Sequence, residues 1–175
     1  QVALTVWSAL AFALDALAIA AQALTGRALG AGDRAGVRSA TATMLRWGVG
    51  LGVVLGGVVA AAHTVIPLAF SSDADVRSAL AAALLVVAAG QPIAAVAFVL
   101  DGVLIGAGDG RFLAWAGVVT LAVYAPLAVA VRSLAPDGGP GLAWAWLAYA
   151  GAFMGARALT TGLRARGAAW MTLGA

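Results

Sequence analysis

The chain is a succession of long apolar segments separated by short polar turns. The segments are rich in Ala, Leu, Val and Gly, and they lack the strict alternation of polar and apolar residues seen in membrane strands. A helix needs about 20 apolar residues to cross the hydrocarbon core of a bilayer. The 175 residues therefore have room for about five spans. This pattern predicts an all-α fold, a polytopic transmembrane helix bundle.

Five helices are predicted, and each ends at a group of residues that resist helix continuation. Their approximate ranges are 2–29, 35–70, 76–107, 112–134 and 142–163. The breaks between them contain Gly, Asp, Ser and Pro, which are typical of turns. No break has the composition of an interdomain linker, so residues 1–175 are expected to form one bundle.

Composition supports lipid as the solvent of this chain. Hydrophobic residues make up 63% of it and charged residues 10%, and the mean hydropathy is +1.02. A chain with so few charges cannot cover a water-facing surface. It has no cysteine, which excludes disulfides, iron–sulfur clusters and thiolate metal sites. We predict no cofactor, no metal site, no catalytic residue and no nucleic-acid partner.

The arginines are distributed unequally between the two ends of the predicted helices. Eight of the ten lie at one end: Arg27, Arg34, Arg38, Arg46, Arg111, Arg157, Arg164 and Arg166. Only Arg77 and Arg132 lie at the other end. Since cytoplasmic loops carry an excess of basic residues, we expect the first end to be cytoplasmic, together with the C-terminus. The localisation expected is the inner membrane, with multiple spans.

The second helix carries a ridge of small residues. Gly48, Gly52 and Gly56 recur every four residues and so share one face. Such a ridge lets the backbone of another helix approach closely. We interpret it as a packing surface within the bundle, and a dimer interface is the alternative.

Two stretches of the chain resemble each other. Residues 21–33 match residues 97–109, and both end in Gly-Ala-Gly-Asp. Internal repeats are common in secondary transporters, where related units pack around a site near mid-membrane. A second explanation is that two unrelated helices end with a similar stop.

Asp15 lies near the middle of the first predicted span. A charge at the centre of a bilayer costs about 2.5–3.5 kcal/mol on insertion scales, so such residues usually face a cavity or the interior of a bundle. Gln22 follows seven residues later on the same helix face. We interpret both as lining a substrate or cation pathway, in which Asp15 could hold and release a proton. A hydrogen bond between helices that only fixes the packing is the alternative.

The third predicted helix contains two further polar candidates. In the repeat, Gln91 takes the position of Asp15, and it is followed by Pro92, which leaves a backbone carbonyl without its donor. Asp101 lies about two turns from the cytoplasmic end of this helix. Both are candidate pathway residues, and Asp101 could equally serve in a capping or inner-gate hydrogen bond.

Four of the six tryptophans lie near predicted helix ends. They are Trp7, Trp47, Trp144 and Trp146. Tryptophan is enriched at both membrane–water interfaces, so these four are expected to anchor the helices at the headgroup level.

The polar residues of the first and third helices lie in stretches that resemble the MATE (multidrug and toxic compound extrusion) transporters. The stretches are Leu14–Leu24 and Gly26–Asp33 in the first helix, and Gln91-Pro92 and Val99–Asp109 in the third. The resemblance is strongest to the DinF (DNA-damage-inducible F) branch. It implies two six-helix lobes around a central cavity, and this chain is similar to the last five helices of the second lobe.

The resemblance also implies an activity. MATE transporters export organic, often cationic, compounds in exchange for protons or sodium. The implied partners are such a substrate, the coupling ion, the lipid bilayer and a first lobe that is missing from this chain. In DinF-like members an Asp of that first lobe is tied to proton coupling.

The NorM-like branch differs from this chain at its second-lobe cation site. That site uses one acid on the helix before the first helix of this chain and another earlier on the third helix than Asp101. At the second position this chain has apolar residues. The NorM-type sodium site is therefore not carried over.

Two other functions compete with an antiporter. A lipid-linked oligosaccharide flippase of the same superfamily is expected to have a larger cavity lined by arginines. An intramembrane alcohol phosphatidyltransferase is suggested only by Asp101-Gly102, because the further Asp residues of its signature are absent. The sequence therefore predicts a membrane antiporter rather than an enzyme.

Overall fold

The computed structural model of the protein describes residues 1–173, which form an all-helical bundle. The helices are α1 (Val2–Gly30), α2 (Arg34–Ala62), α3 (Ala74–Gly106), α4 (Gly110–Leu134), α5 (Gly139–Trp146) and α6 (Met154–Arg166). A 3₁₀ turn, Ile66–Ala69, follows α2, and a π-helical segment, Leu147–Phe153, joins α5 to α6 without a break.

The helices reproduce the predicted membrane architecture. Within residues 1–173, α1 to α4 are each long and apolar enough to cross a bilayer by length and composition. The fifth crossing is composite, because α5, the π-helical segment and α6 run on as one helix over residues 139–166. The prediction of an all-α polytopic bundle is confirmed.

The third helix is the centre of the bundle. Within the apolar 18-residue stretch of α3, 61% of the residues are buried. The corresponding fraction is 22% in α1 and in α2 and 11% in α4. It packs against α1 and α2 on some of its faces and against α5, the π-helical segment and α6 on others. α3 therefore contributes more residues to the buried core than any other helix, and the other helices are buried over a smaller part of their surface.

The second helix is shorter than the predicted range of 35–70. It ends at Ala62, and Pro67 lies buried in the following 3₁₀ turn. Proline has no N–H to donate to the carbonyl of His63, and its ring clashes with that carbonyl. The α-helix therefore cannot continue through this stretch.

The repeated Gly-Ala-Gly-Asp stretches form the same helix stop twice. Gly32 and Gly108 both have φ of +72°, the left-handed conformation that glycine adopts at low cost. In each stop the amide of the following Asp donates to the carbonyl five residues back, at 2.9 Å after α1 and 3.0 Å after α3. The likeness between residues 21–33 and 97–109 therefore includes the path of the backbone.

The glycine ridge of α2 faces α3. Gly48, Gly52 and Gly56 are all buried, and a Cβ atom at Gly52 would lie 2.8 Å from the carbonyl oxygen of Gln91. Gly56 packs against the carbonyl of Ala88, the group that Pro92 leaves without a helical donor. A Cα–H group beside such an oxygen is a weak hydrogen-bond donor. The ridge thus allows backbone contact where the α3 ladder is interrupted.

An aromatic cluster fills the space between α1, α4, α5 and the π-helical segment. The cluster consists of Trp7, Tyr124, Trp146, Tyr149 and Phe153, with ring centroids 5.2–6.2 Å apart. The expectation that Trp7 and Trp146 anchor the chain at the membrane interface is wrong, because only 5% and 8% of their surfaces are exposed. Their rings are used for packing between helices.

Candidate functional site

A cavity of about 410 Å³ lies between α1, α3, α4 and the junction of the π-helical segment with α6. Three of the four predicted pathway residues line it: Asp15, Gln22 and Asp101. Polar and aromatic side chains from the other elements complete the lining, among them Thr120, Phe153 and Arg157. Two carboxylates on different helices therefore share one cavity within the membrane-spanning part of the fold.

Close packing of α1 on α3 determines where the cavity lies. Gly102 and Gly106 of α3 lie against the backbone of Ala18 and Gln22 of α1, and a Cβ atom at either glycine would overlap that backbone. Glycine on one helix lets a second backbone approach closely. The approach brings the polar face of α1 beside the segment of α3 that carries Asp101.

Asp15 borders the open side of the cavity. Its neighbours Leu14 and Ala18 are buried against the bundle, whereas Asp15 is exposed at the cavity edge. Among residues 1–173 its carboxylate makes no hydrogen bond or ion pair. An ionised carboxylate within a membrane requires water or a positive counter-charge. The location of Asp15 is thus suited to receive a cation.

Asp101 is held by an arginine from α6. The Nε atom of Arg157 donates to Oδ1 of Asp101 at 3.0 Å and to Oδ2 at 3.1 Å. The Nη1 atom of the same guanidinium donates to the carbonyl oxygen of Leu113 at 3.1 Å. The side chain of Arg157 therefore links α3, α4 and α6 at the cavity wall. Its positive charge also neutralises the carboxylate of Asp101.

Arg157 was not predicted as a site residue. Its position near the end of the predicted range 142–163 places it among the arginines expected at the cytoplasmic ends of helices, but α6 continues nine residues further, to Arg166. A signal was present in the sequence, because position 157 lies inside the predicted range 142–163 and a charge within a span usually has a partner. Nothing in the sequence identified that partner as Asp101.

Gln91 lies away from the cavity. It is 1% exposed, its Nε2 atom donates to the carbonyl oxygen of Val87 at 3.2 Å, and its backbone faces the glycine ridge of α2. At 100° per residue, the ten residues that separate it from Asp101 place the two side chains about 80° apart around α3. The repeat thus aligned Gln91 with Asp15 in sequence and depth, although the two helices present these positions to different neighbours.

The second Gly-Ala-Gly-Asp stop contains another ion pair. The Nε atom of Arg164 lies 2.7 Å from Oδ2 of Asp109, and its guanidinium lies 5.1 Å from the ring centre of Phe112. At the first stop, Asp33 instead accepts a hydrogen bond from the amide of Gly36 at 2.8 Å and caps α2. Asp109 and Arg164 do not line the cavity.

Comparison with known proteins adds to this geometry. The profile of the MatE family matches residues 1–130, which is α1 to α3 and most of α4. The chain belongs to the MatE family. Membership, together with the apolar helices, makes it a multi-pass membrane protein. The match does not reach Arg157.

Three plant members of the MATE family illustrate the likeness, and all are from Arabidopsis thaliana. Protein DETOXIFICATION 45, chloroplastic, is 34% identical over 157 residues, which are 90% of this chain and 27% of that protein. Protein DETOXIFICATION 44, chloroplastic, is 34% identical over 119 residues, 68% of this chain and 23% of that protein. Protein DETOXIFICATION 42 is 35% identical over 123 residues, 70% of this chain and 24% of that protein.

Each match covers most of this chain but only a small part of the relative. The chain spans about a quarter of the length of the MATE relatives it matches. No solved structure matches the chain at a significant level.

Proposed function

We propose that this chain is part of a cation-coupled antiporter that exports drugs or other organic, often cationic, compounds across the inner membrane. The observation that carries the proposal is the cavity that Asp15, Gln22 and Asp101 share within membrane-spanning helices. Membership of the MatE family supports it, as do the names of the DETOXIFICATION relatives.

The mechanism follows from the difference between the two carboxylates. Asp101 is neutralised by Arg157, whereas Asp15 has no counter-charge among residues 1–173. Asp15 can therefore alternate between a proton, or a sodium ion, and a cationic substrate. If each occupancy favours a different packing of the helices, the two cations move in opposite directions. Asp15, Gln22 and Asp101 form the pathway in this proposal, and Gln91 contributes to helix packing.

The proposal includes a position for this chain in a longer protein. The stretches around Leu14–Asp33 and Val99–Asp109 resemble the DinF-like branch, and this resemblance supports a position in the second lobe. The match covers only 27% of protein DETOXIFICATION 45, which is consistent with a first lobe elsewhere in a longer protein. The first lobe would then close the open side of the cavity at Asp15. The cytoplasmic orientation of the C-terminus rests on arginine placement. The assignment holds even without Arg157, because seven arginines still oppose two.

Two alternatives receive less support from the geometry. A flippase for lipid-linked oligosaccharides is expected to use a large cavity lined by arginines, and here a cavity of about 410 Å³ contains one arginine, which is already paired. A phosphatidyltransferase requires several acids around a metal ion. Among residues 1–173 no group of three or more His, Cys, Asp or Glu residues could hold one.

The test is Asp15→Asn in the full-length protein, which is reconstituted in vesicles that carry a pH gradient. The variant is expected to fold normally and to lose most of the proton release that an added cationic drug induces, as read by a pH-sensitive dye. Asp137→Asn is the matched control, because Asp137 is an exposed aspartate in the turn before α5 and does not line the cavity. Unchanged drug-driven exchange by Asp15→Asn would exclude this residue from the mechanism.

A further inference from the structure

The charged groups around the cavity are few. Among residues 1–173 its lining contains two carboxylates, Asp15 and Asp101, and one guanidinium, Arg157. The remaining lining residues are uncharged. The cavity therefore carries one net negative charge when both carboxylates are ionised.

The positive charge of Arg157 is fixed in place. Its Nε atom contacts both oxygens of Asp101, at 3.0 and 3.1 Å, and Nη1 donates to the carbonyl of Leu113. A guanidinium keeps its proton at any physiological pH. Arg157 thus holds a fixed positive charge at the cavity surface. It occupies the position beside Asp101 where the positive charge of a ligand could otherwise bind.

We propose that Arg157 determines the charge selectivity of the cavity, because by neutralising Asp101 it leaves Asp15 to bind singly charged organic cations in preference to doubly charged ones. A monocation loses its hydration on entry and regains a counter-charge at Asp15. The second charge of a dication loses its hydration as well, but it meets a carboxylate that is already paired and an adjacent guanidinium that repels it. This inference rests on the proposed function, which makes the cavity a binding site for organic cations.

The protein contains a matched ion pair outside the cavity. Arg164 also comes from α6, and its Nε atom also contacts an aspartate, Asp109, at 2.7 Å. Asp109 lies in the turn between α3 and α4, directly before α4. Both pairs have side chains that are partly exposed, by 18% and 29% for Arg157 and Asp101 and by 29% and 14% for Arg164 and Asp109. Loss of Arg164 therefore reproduces the structural effect of losing an α6 ion pair without changing the charge of the cavity.

The experiment compares two aromatic cations of similar shape and different charge. The probes are N-methyl-4-phenylpyridinium, with one charge, and N,N′-dimethyl-4,4′-bipyridinium, with two. Their Kd values for the full chain in detergent are measured by titration calorimetry. The unsubstituted protein is expected to prefer the monocation. Arg157→Gln leaves two net negative charges and is expected to shift the ratio of the two Kd values about tenfold or more toward the dication.

Three further variants separate charge from structure. Arg157→Lys keeps the charge and is expected to keep the ratio within about threefold, as is Arg164→Gln. The double variant Asp101→Asn/Arg157→Gln removes both charges of the pair and restores one net negative charge, so its ratio is expected to return to within about threefold of the original. Should Arg157→Gln fail to fold, Asp101→Asn replaces it: this variant leaves Arg157 unpaired and the cavity without net charge, so the ratio is expected to shift further toward the monocation, and an unchanged ratio overturns the inference.

The two proposals fail in different ways. Binding of the monocation with a ratio that Arg157→Gln leaves unchanged overturns the role of Arg157 and leaves the proposed function intact. A shift of the ratio in Arg164→Gln as large as that in Arg157→Gln also overturns it, because the effect would then come from altered packing of α6. Absence of binding of either cation to the unsubstituted protein overturns the proposed function itself.

Discussion

The Nε atom of Arg157 lies 3.0 Å from Oδ1 of Asp101, although the two residues are 56 positions apart in the chain. The contact joins α6 to the central helix α3, and the bond from Arg157 to Leu113 adds α4. In a bundle whose helices are apolar on nearly every side, polar contacts of this kind specify one arrangement among many. The pair therefore has a structural role as well as the electrostatic one proposed above.

Removal of one partner of this pair is expected to destabilise the protein. Arg157→Gln and Asp101→Asn should each lower the free energy of unfolding by about 1–3 kcal/mol, because each leaves a partly buried charge without its partner. The double variant should lose less than the sum of the two, since no unpaired charge remains. Chemical unfolding of the full chain in detergent, followed by circular dichroism, measures this. Additive losses would contradict direct coupling between the two side chains.

The glycine ridge of α2 gives a prediction with an internal control. Gly52→Ala is expected to destabilise the protein by about 1–3 kcal/mol, because its Cβ atom would lie 2.8 Å from the carbonyl oxygen of Gln91 and force α2 away from α3. Gly57 lies on the same helix, and a Cβ atom built there has no atom within 4 Å. Gly57→Ala should therefore stabilise the protein by about 0.5–1 kcal/mol through helix propensity. Thermal unfolding of both variants under identical conditions is the measurement. Equal effects would argue against close α2–α3 contact.

The helix stop after α1 depends on backbone conformation. Gly32→Ala is expected to cost about 1–2 kcal/mol, because its φ of +72° places the Cβ of an L-residue against the following carbonyl. Gly30→Ala is the control, since Gly30 is the last residue of α1 and no atom lies within 4 Å of a Cβ built there. Unfolding midpoints of the two variants report the difference. A loss in Gly30→Ala as large as that in Gly32→Ala would exclude the conformational explanation.

Two tryptophans predicted alike from sequence should respond differently to truncation. Trp7→Ala is expected to destabilise the protein by about 3–5 kcal/mol, because Trp7 is 5% exposed and packs on Trp146 and Tyr149. Trp47→Ala removes a side chain that is 67% exposed and should change stability by less than about 1 kcal/mol. Denaturant titrations of both variants in the same detergent provide the comparison. A larger loss at Trp47 would contradict the packing of the aromatic cluster.

The sequence by itself determined the class of fold, the path of the chain and several residues of the cavity. Apolar segments and glycine helix stops act over a few residues, so they are readable from local pattern. The predicted end of the second helix at residue 70 is the exception, because it overlooks the equally local effect of Pro67. Asp15, Gln22 and Asp101 were identifiable because a polar group in hydrocarbon is costly wherever it lies. The same cost applies to a charge at Arg157, but its position near the end of the predicted range 142–163 places it among the arginines of the helix ends, so the sequence did not single it out.

The tertiary structure decided which faces of the helices meet. In a soluble protein the apolar face of a helix marks the core, but here lipid-facing and buried faces are both apolar, so hydropathy gives no direction. The packing of α3 among its neighbours placed Gln91 against α2 and Asp101 in the cavity. Contacts between the helices also buried Trp7 and brought Arg157 to the carboxylate of Asp101. These contacts join residues distant in the chain, and no local pattern encodes them.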